Sequence, residues 1–301
     1  MSSSSLSDAA VVLARTRPAA DVRRAVRDGE LVRLRRGAYG ATPPAESPGE
    51  SAHRAAVQRL IAVAAQITLP FHFCGESAAL VWDLPVVGLS GRTHILQATR
   101  PSARNDPALA RHVGELPLSH RATVDGLPVT SLARTVVDCA RAMRPGPALV
   151  VVDAAIRRGV DPDALAAVVR TAAGGRGVVS ARRVIEHADG DAESPGESLT
   201  RWALLEGGLP RPVTQVPVAT RPARFVVDLG WPERRVGVEF DGRVKYTGVY
   251  GSSASEAVFA EKRRQDALEE EGWRLLRVTW TDLRRPEVVA ARAARLLRSR
   301  P

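Results

Sequence analysis

Three carboxylates stand in runs that otherwise have the composition of buried β-strand: Asp228 in FVVDLGW, and Glu239 and Asp241 in VGVEFDG. Valine, isoleucine and aromatic side chains suit such positions, and a carboxylate buried there is costly unless a cation or hydrogen-bonding partner offsets it. Alternation along a strand puts Glu239 and Asp241 on one face and Val238 and Phe240 on the other. An antiparallel pairing through residues 229–235 brings Asp228 beside that acidic face. Oxygen-only ligands of this kind suit Mg²⁺ or Mn²⁺, not zinc. A metal so held polarises a phosphodiester and lowers the pKa of a bound water, the chemistry of hydrolytic nucleases. Asp228, Glu239 and Asp241 are therefore the expected metal ligands.

The same stretch holds Lys245 and Lys262, the only lysines among 43 basic residues. Lys245 lies four residues past Asp241, and Lys262 opens the following helix. A lysine beside the metal orients the attacking water or offsets charge on the phosphate, uses that depend on its compact point charge.

Several elements must position these groups. ESPGESLTRWALLEGGLP begins a helix near Ser194 or Pro195, with Glu197 and Arg201 spaced as an i, i+4 pair; helix support alone would account for Glu197. VTQVPVA, ARFVVDLGW and RRVGVEFDG read as three strands with a turn at Pro232-Glu233 between the last two. A helix carrying EKRRQDAL follows, with Ala267 and Leu268 expected on the sheet and Arg263 and Arg264 on a face that either meets DNA phosphates or is simply solvated. The basic tail LRRPEVVAARAARLLRSRP reads as a covering helix.

Asp228, Glu239-Phe240-Asp241, the EKRRQDAL helix and the strand WRLLRVTW together resemble the DUF559 family. That family is related to very-short-patch-repair endonucleases within the PD-(D/E)XK restriction-endonuclease-like fold. The resemblance covers about residues 193–285. It implies an α-β-β-β-α-β core, Asp228 and Glu239 as metal ligands, and Glu197 as a helix-borne supporting carboxylate. The family pattern would carry lysine two positions after the glutamate, where this chain has Asp241. Lys245 or Lys262 then has to stand in, or the site is a degenerate one kept for binding or folding.

The N-terminal region reads as a helix over 7–15, a second over about 19–28 stopped by Gly29, and a basic hairpin LVRLRRGAYG turning at Gly37. Helix, helix and hairpin suggest a winged-helix module over 1–45, and the hairpin pattern resembles the AbiEi-type antitoxin and regulator family. The resemblance implies DNA contact, here through Arg23, Arg24, Arg27, Arg33, Arg35 and Arg36, and a cognate toxin as a partner. An α+β region at 50–143, with SAALVWDLP and DGLPVTSLARTVVDCAR, also looks AbiEi-like. A helical connector spans 144–190 and the endonuclease-like domain 191–301, so the fold class is a multidomain α+β or α/β protein. The six histidines are scattered without ligand spacing, and Cys74 and Cys139 read as small buried apolar residues.

A formal charge of +10 and a pI near 10.8 favour a polyanionic partner, and no helix pairs a basic face with an aromatic one as a membrane surface would need. With no apolar run of membrane-spanning length and no leader-like start, the chain reads as cytoplasmic. Two function readings follow. One is a Mg²⁺-dependent DNA endonuclease targeted by the winged helix. The other is a non-catalytic DNA-binding regulator or antitoxin with a degenerate nuclease domain.

Overall fold

The computed structural model describes residues 10–42, 48–99, 106–242 and 252–299. It is a mixed α/β protein with three sheets among these residues. Contacts divide it into two compact units, 1–143 with 160–182, and 144–159 with 183–301. The stretch expected as a helical connector is thus shared between the units.

The first described element of the first unit is strand β1 (Val11–Leu13), where a helix over 7–15 is expected; residues 7–9 of that segment lie outside the described residues. The Val11-Val12-Leu13 run pairs antiparallel with Gly40, Tyr39 and Ala38, and β-branched side chains favour that extended backbone over a helix. Helix α1 (Ala19–Arg27) follows as expected, burying Val22, and leads into β2 (Leu31–Arg35) and β3 (Ala38–Ala41). Gly37 adopts φ +74° at the hairpin turn, where its lack of a Cβ is needed. Among the described residues the module therefore has one α-helix before its hairpin, not two.

Helix α2 (Pro48–Gln66) and a second sheet complete this unit. That sheet contains β4 (His72–Phe73), β5 (Thr93–Gln97), β6 (Leu109–Val113), β7 (Arg121–Val124) and β8 (Leu127–Thr130), in the order β6-β5-β4-β8-β7. Asp125 and Gly126, at φ 49° and 76°, form the β7–β8 turn that the Asp-Gly pair predicts. Helix α3 (Gly75–Val81) packs with the sheet and α4 (Leu132–Ala142) packs against α3, and Phe73, Ile95 and Val129 are fully buried in the core of the sheet. Helix α6 (Pro162–Thr171), capped by the Asp161 carboxylate on the Asp163 N–H, belongs to the same unit.

The second unit takes α5 (Pro145–Arg157), then α8 (Pro195–Glu206), β9 (Val213–Ala219), β10 (Arg224–Trp231), β11 (Val236–Asp241), α9 (Ser252–Glu270), β12 (Arg274–Thr279) and α10 (Pro286–Arg298). Between the units in sequence, α7 (Val178–Glu186) spans their boundary. From α8 the order of elements is α-β-β-β-α-β, and the sheet runs β12-β11-β10-β9 with only the β11–β12 pairing parallel. Leu204 of α8 and Val289 and Ala293 of α10 pack with Val236 and Val238 on one face. Leu268 of α9 packs with Val216, Val227 and Trp273 on the other. Among the described residues, no helix is long and apolar enough to cross a membrane.

Candidate active site

The site is made by a fault in the sheet. Register runs without a slip from Val227↔Val216 to Leu229↔Thr214, yet Asp228 and Gln215 between them make no ladder pair. Gln215 has φ +52°, a left-handed conformation that costs a non-glycine residue of order 1 kcal/mol or more. The consequence for β10 is a change of side. Phe225 and Val227 pack on the α9 face, whereas Leu229 and Trp231 pack on the α8/α10 face. Strict alternation would keep all four together, so Asp228 is the residue at which the pleat switches.

On its other side, β10 pairs with β11 only as far as Leu229↔Val238. Beyond that pair the ladder ends, and the Asp228 carboxylate accepts the Phe240 N–H at 2.7 Å. The two strands therefore fork at Asp228, with a side-chain oxygen in the place of a backbone carbonyl.

Glu239 lies across the fork, buried, and its side chain is engaged. Arg264 of α9 donates through Nη1 to Glu239 Oε2 at 3.1 Å and through Nη2 to Oε1, and Nη2 also meets the Val226 carbonyl at 2.9 Å. Such a two-pronged guanidinium–carboxylate contact is among the stronger hydrogen-bonded ion pairs. Glu261 extends the network to Arg264 at 3.6 Å and to Arg277 of β12.

Glu197, buried like Glu239, is the third carboxylate of the cluster. The Ser194 hydroxyl caps α8 by accepting the Glu197 N–H, and Glu197 Oε2 accepts from the Glu193 N–H at 2.9 Å and from Gln215 Nε2 at 3.0 Å. The expected Glu197–Arg201 pair does not form. Arg201 is fully buried and donates to Asp153 of α5 and to the His187 carbonyl, because the interior offers it a carboxylate that a helix surface would not.

Asp228 reports the electrostatics of the cluster. Burial pushes its carboxyl from an ordinary 3.8 up to about 6; the Phe240 N–H and Arg264 oppose this, while Glu197 and Glu239 add to it. The three carboxylates thus sense one another. They do not converge on one point: among the described residues, no three His, Cys, Asp or Glu side chains are arranged to hold a metal ion. The donors are of the type that a hard divalent cation takes, and the charge on Asp228 is under-compensated, so the set suits Mg²⁺ or Mn²⁺ in chemistry. As the side chains stand, the Arg264 guanidinium takes the cation's place at Glu239.

The other expected residues fare differently. Asp241 ends β11 in register with Thr279, and Lys245 lies outside the described residues. Lys262 is exposed on α9, two residues before Arg264 and so about 200° around the helix from it. Arg264 is thus the basic residue of α9 that reaches the carboxylates, and it is held by Glu239 and not presented to solvent as expected; Arg263 is exposed. Arg23, Arg33 and Arg36 are exposed in the first unit, while Arg24 and Arg27 are exposed but face Asp21 and Asp28 at 3.1 and 4.0 Å. Arg35 is mostly buried and bonded to Asp106.

A cleft of about 690 Å³ opens beside the fork, bordered by Gln215 and Val226 and by Asp189, Asp191, Glu193 and Arg157. Its lining is mainly acidic, so a polyanion there needs a cation between it and the protein.

Sequence reasoning also missed a polar chain in the first unit. His94 and His112 are not scattered: their Nδ1 and Nε2 atoms are 3.1 Å apart, on adjacent parallel strands. Ser90 lies 3.1 Å from His94 Nε2 and donates to Glu76 Oε1 at 2.6 Å. Spacing in sequence carries no signal for this, because the two histidines lie 18 residues apart on different strands.

No protein-family model matches the chain. It is 30% identical over 285 residues to the uncharacterized protein MT2308 of Mycobacterium tuberculosis strain CDC 1551 / Oshkosh, covering 94% of this chain and 97% of that one. The figures for the uncharacterized protein Rv2248 of strain ATCC 25618 / H37Rv are the same. The crystal structure of the Rv2827c protein of Mycobacterium tuberculosis aligns with 61% of this chain and 73% of its own at 17% identity and a TM-score of 0.37, a likeness that carries no argument here. With 30% identity running through nearly the whole length of both chains, this protein belongs to the family of Rv2248 and MT2308.

Proposed function

We propose that residues 191–301 form a PD-(D/E)XK-like, DUF559-like domain that hydrolyses phosphodiesters in DNA with Mg²⁺ or Mn²⁺. The observation that carries this is the fork at Asp228, where a carboxylate with its pKa raised to about 6 stands between two others, Glu197 and Glu239. A purely structural role does not require an anion so poorly compensated. The α-β-β-β-α-β order agrees with the same reading.

Asp228 and Glu239 would hold the cation, which when bound supplies Lewis acidity toward the phosphodiester. Glu197 acts as a positioning residue, fastening the start of α8 to Gln215 at the pleat switch. Arg264 orients Glu239 through both carboxylate oxygens. Above pH 6 Asp228 is itself ionised and ready to bind a cation. The substrate is DNA, in keeping with the +10 charge, and the exposed Arg23, Arg33, Arg36 and Arg263 contribute electrostatic attraction.

The test is incubation of the full chain with supercoiled plasmid and linear duplex in Mg²⁺ or Mn²⁺, with cation uptake measured by calorimetry. Nicking and uptake by the wild type, both lost in Asp228→Asn and Glu239→Gln, is the expected result. Equal cleavage by wild type and variants, or neither cleavage nor uptake by the wild type, removes the reading.

The pair between Arg264 and Glu239 favours a second reading, a DNA-binding regulator or AbiEi-like antitoxin in which the guanidinium has replaced the cation for good. It entails specific duplex binding in chelator, a cognate toxin as partner, and no cation uptake.

A further inference from the structure

One guanidinium takes both oxygens of Glu239: Arg264 Nη1 donates to Oε2 at 3.1 Å and Nη2 to Oε1. A divalent cation at Glu239 needs at least one of those oxygens, so cation and guanidinium compete for the same carboxylate. The side chains of Glu239 and Arg264 are 11% and 22% exposed, which leaves little water to screen that competition. A displaced guanidinium also needs a partner, because a charge left unpaired in a partly buried place is costly. Glu261 supplies one. It lies three residues back on α9, and the same Arg264 Nη1 that is 3.1 Å from Glu239 Oε2 is 3.6 Å from Glu261 Oε1. Arg264 thus has a buried and a half-exposed carboxylate within reach of one side chain, and a move between them gives up only the Val226 carbonyl besides Glu239. Arg277 of β12 holds Glu261 from its other side; its side chain is 40% exposed, so sharing or releasing Glu261 costs it little.

We propose that Arg264 is an exchangeable plug: it pairs with Glu239 while no divalent cation is bound there and moves to Glu261 when one binds. The inference rests on the cation site of the hydrolytic reading and adds the regulation of that site. Glu239 is answered by a positive charge in either state, so the buried carboxylate never stands alone. Apparent cation affinity is the intrinsic affinity scaled by the fraction of molecules in which Arg264 has left Glu239, and a plug in place in about nine molecules of ten lowers it about tenfold.

The test measures Mn²⁺ binding to the full chain by calorimetry and by loss of the free-ion electron spin resonance signal, without DNA, so that no cleavage enters. Arg264→Gln should bind Mn²⁺ about tenfold or more tightly than wild type, and adding Glu239→Gln should remove the gain. Arg264→Lys keeps the charge but not the two-pronged grip, so it should gain several-fold, where plain repulsion of the cation by a nearby charge predicts no change. Glu261→Gln removes the landing place and should weaken binding several-fold in the wild-type background, but much less in the Arg264→Gln background. Circular dichroism shows whether Arg264→Gln folds; Arg264→Lys carries the result if it does not. Uptake by the wild type with no gain in Arg264→Lys overturns the plug and leaves the cation site standing. No uptake by the wild type or by either Arg264 variant overturns both.

Discussion

Asp228 makes no ladder pair with Gln215, its neighbour on β9, and its carboxylate accepts the Phe240 N–H, 2.7 Å away on β11. This one contact holds open the fork in which Glu239 and the Arg264 guanidinium meet. Burial of Asp228, which that hydrogen bond opposes, also sets a pH dependence. Folding raises the carboxyl from 3.8 to about 6, so the native state binds the proton more tightly than the unfolded chain does. Stability therefore falls as pH rises from about 4 to 6, and above 6 the whole cost is carried. Asp228→Asn keeps an acceptor for Phe240 and removes the charge. At pH 7.5 it should unfold in denaturant later than wild type by about 1 kcal/mol, after allowing for solvent screening, with the gain vanishing below pH 4. Equal stability at pH 7.5 would contradict this account.

Arg264 and Glu239 depend on each other. Arg264→Met leaves Glu239 buried with its charge unanswered and should cost about 2–4 kcal/mol. Pairing it with Glu239→Leu should recover most of that loss, because the uncompensated anion is then gone. A double-mutant cycle by urea unfolding reads the coupling, and additive single effects would argue against the pair.

The Arg201–Asp153 pair is the most buried ion pair among the described residues, with side chains 0% and 1% exposed. It ties α8 to α5, and Asp153 also accepts the Asp189 N–H at 2.9 Å. Arg201→Met should lower stability by about 3–5 kcal/mol, several-fold more than Arg183→Met, whose partner Glu206 is half exposed. Thermal unfolding of the two variants side by side makes the comparison.

Gly196 lets α8 approach the fork, since a Cβ there would overlap the Phe240 ring. That ring in turn meets Trp280 edge-on at 5.0 Å. Gly196→Ala should destabilise the chain by about 1–3 kcal/mol and shift the Trp280 contribution to the emission spectrum. The shift should be absent from a Trp280→Phe background, and a shift that persists there would have another source.

His94 makes an acid-limb prediction for the first unit. Burial, with His112 and Arg92 nearby, lowers its pKa from 6.5 to about 4. The unfolded chain thus binds the proton first, and stability is lost as pH drops from 6.5 to 4. His94→Gln should flatten that limb in a series of denaturant midpoints, while leaving the slope above pH 7 as in wild type.

Local chemistry made much of the fold legible. Ser194 followed by Pro195 and Glu197 reads as a helix start, Asp161-Pro162 as another, and Asp125-Gly126 as a hairpin turn. Each is a property of a few adjacent residues, so no partner from elsewhere in the chain can override it easily. Val11–Leu13 went the other way: the helical reading gave way to a strand because the β2–β3 hairpin offers it an edge.

The identities of the site carboxylates, the alternation that turns Glu239 away from Val238, and the basic surplus were all determined by the sequence alone. Tertiary structure decided what those carboxylates face. The pleat switch at Asp228 exists because Gln215, on another strand, turns left-handed. Arg264 and not a lysine answers Glu239 because Leu268, packed against Val216, Val227 and Trp273, sets the rotation of α9. Arg201 left its helix neighbour for Asp153, 48 residues away. In each case a charged group was settled by burial and by a partner distant in sequence, and neither quantity is defined until the chain has packed.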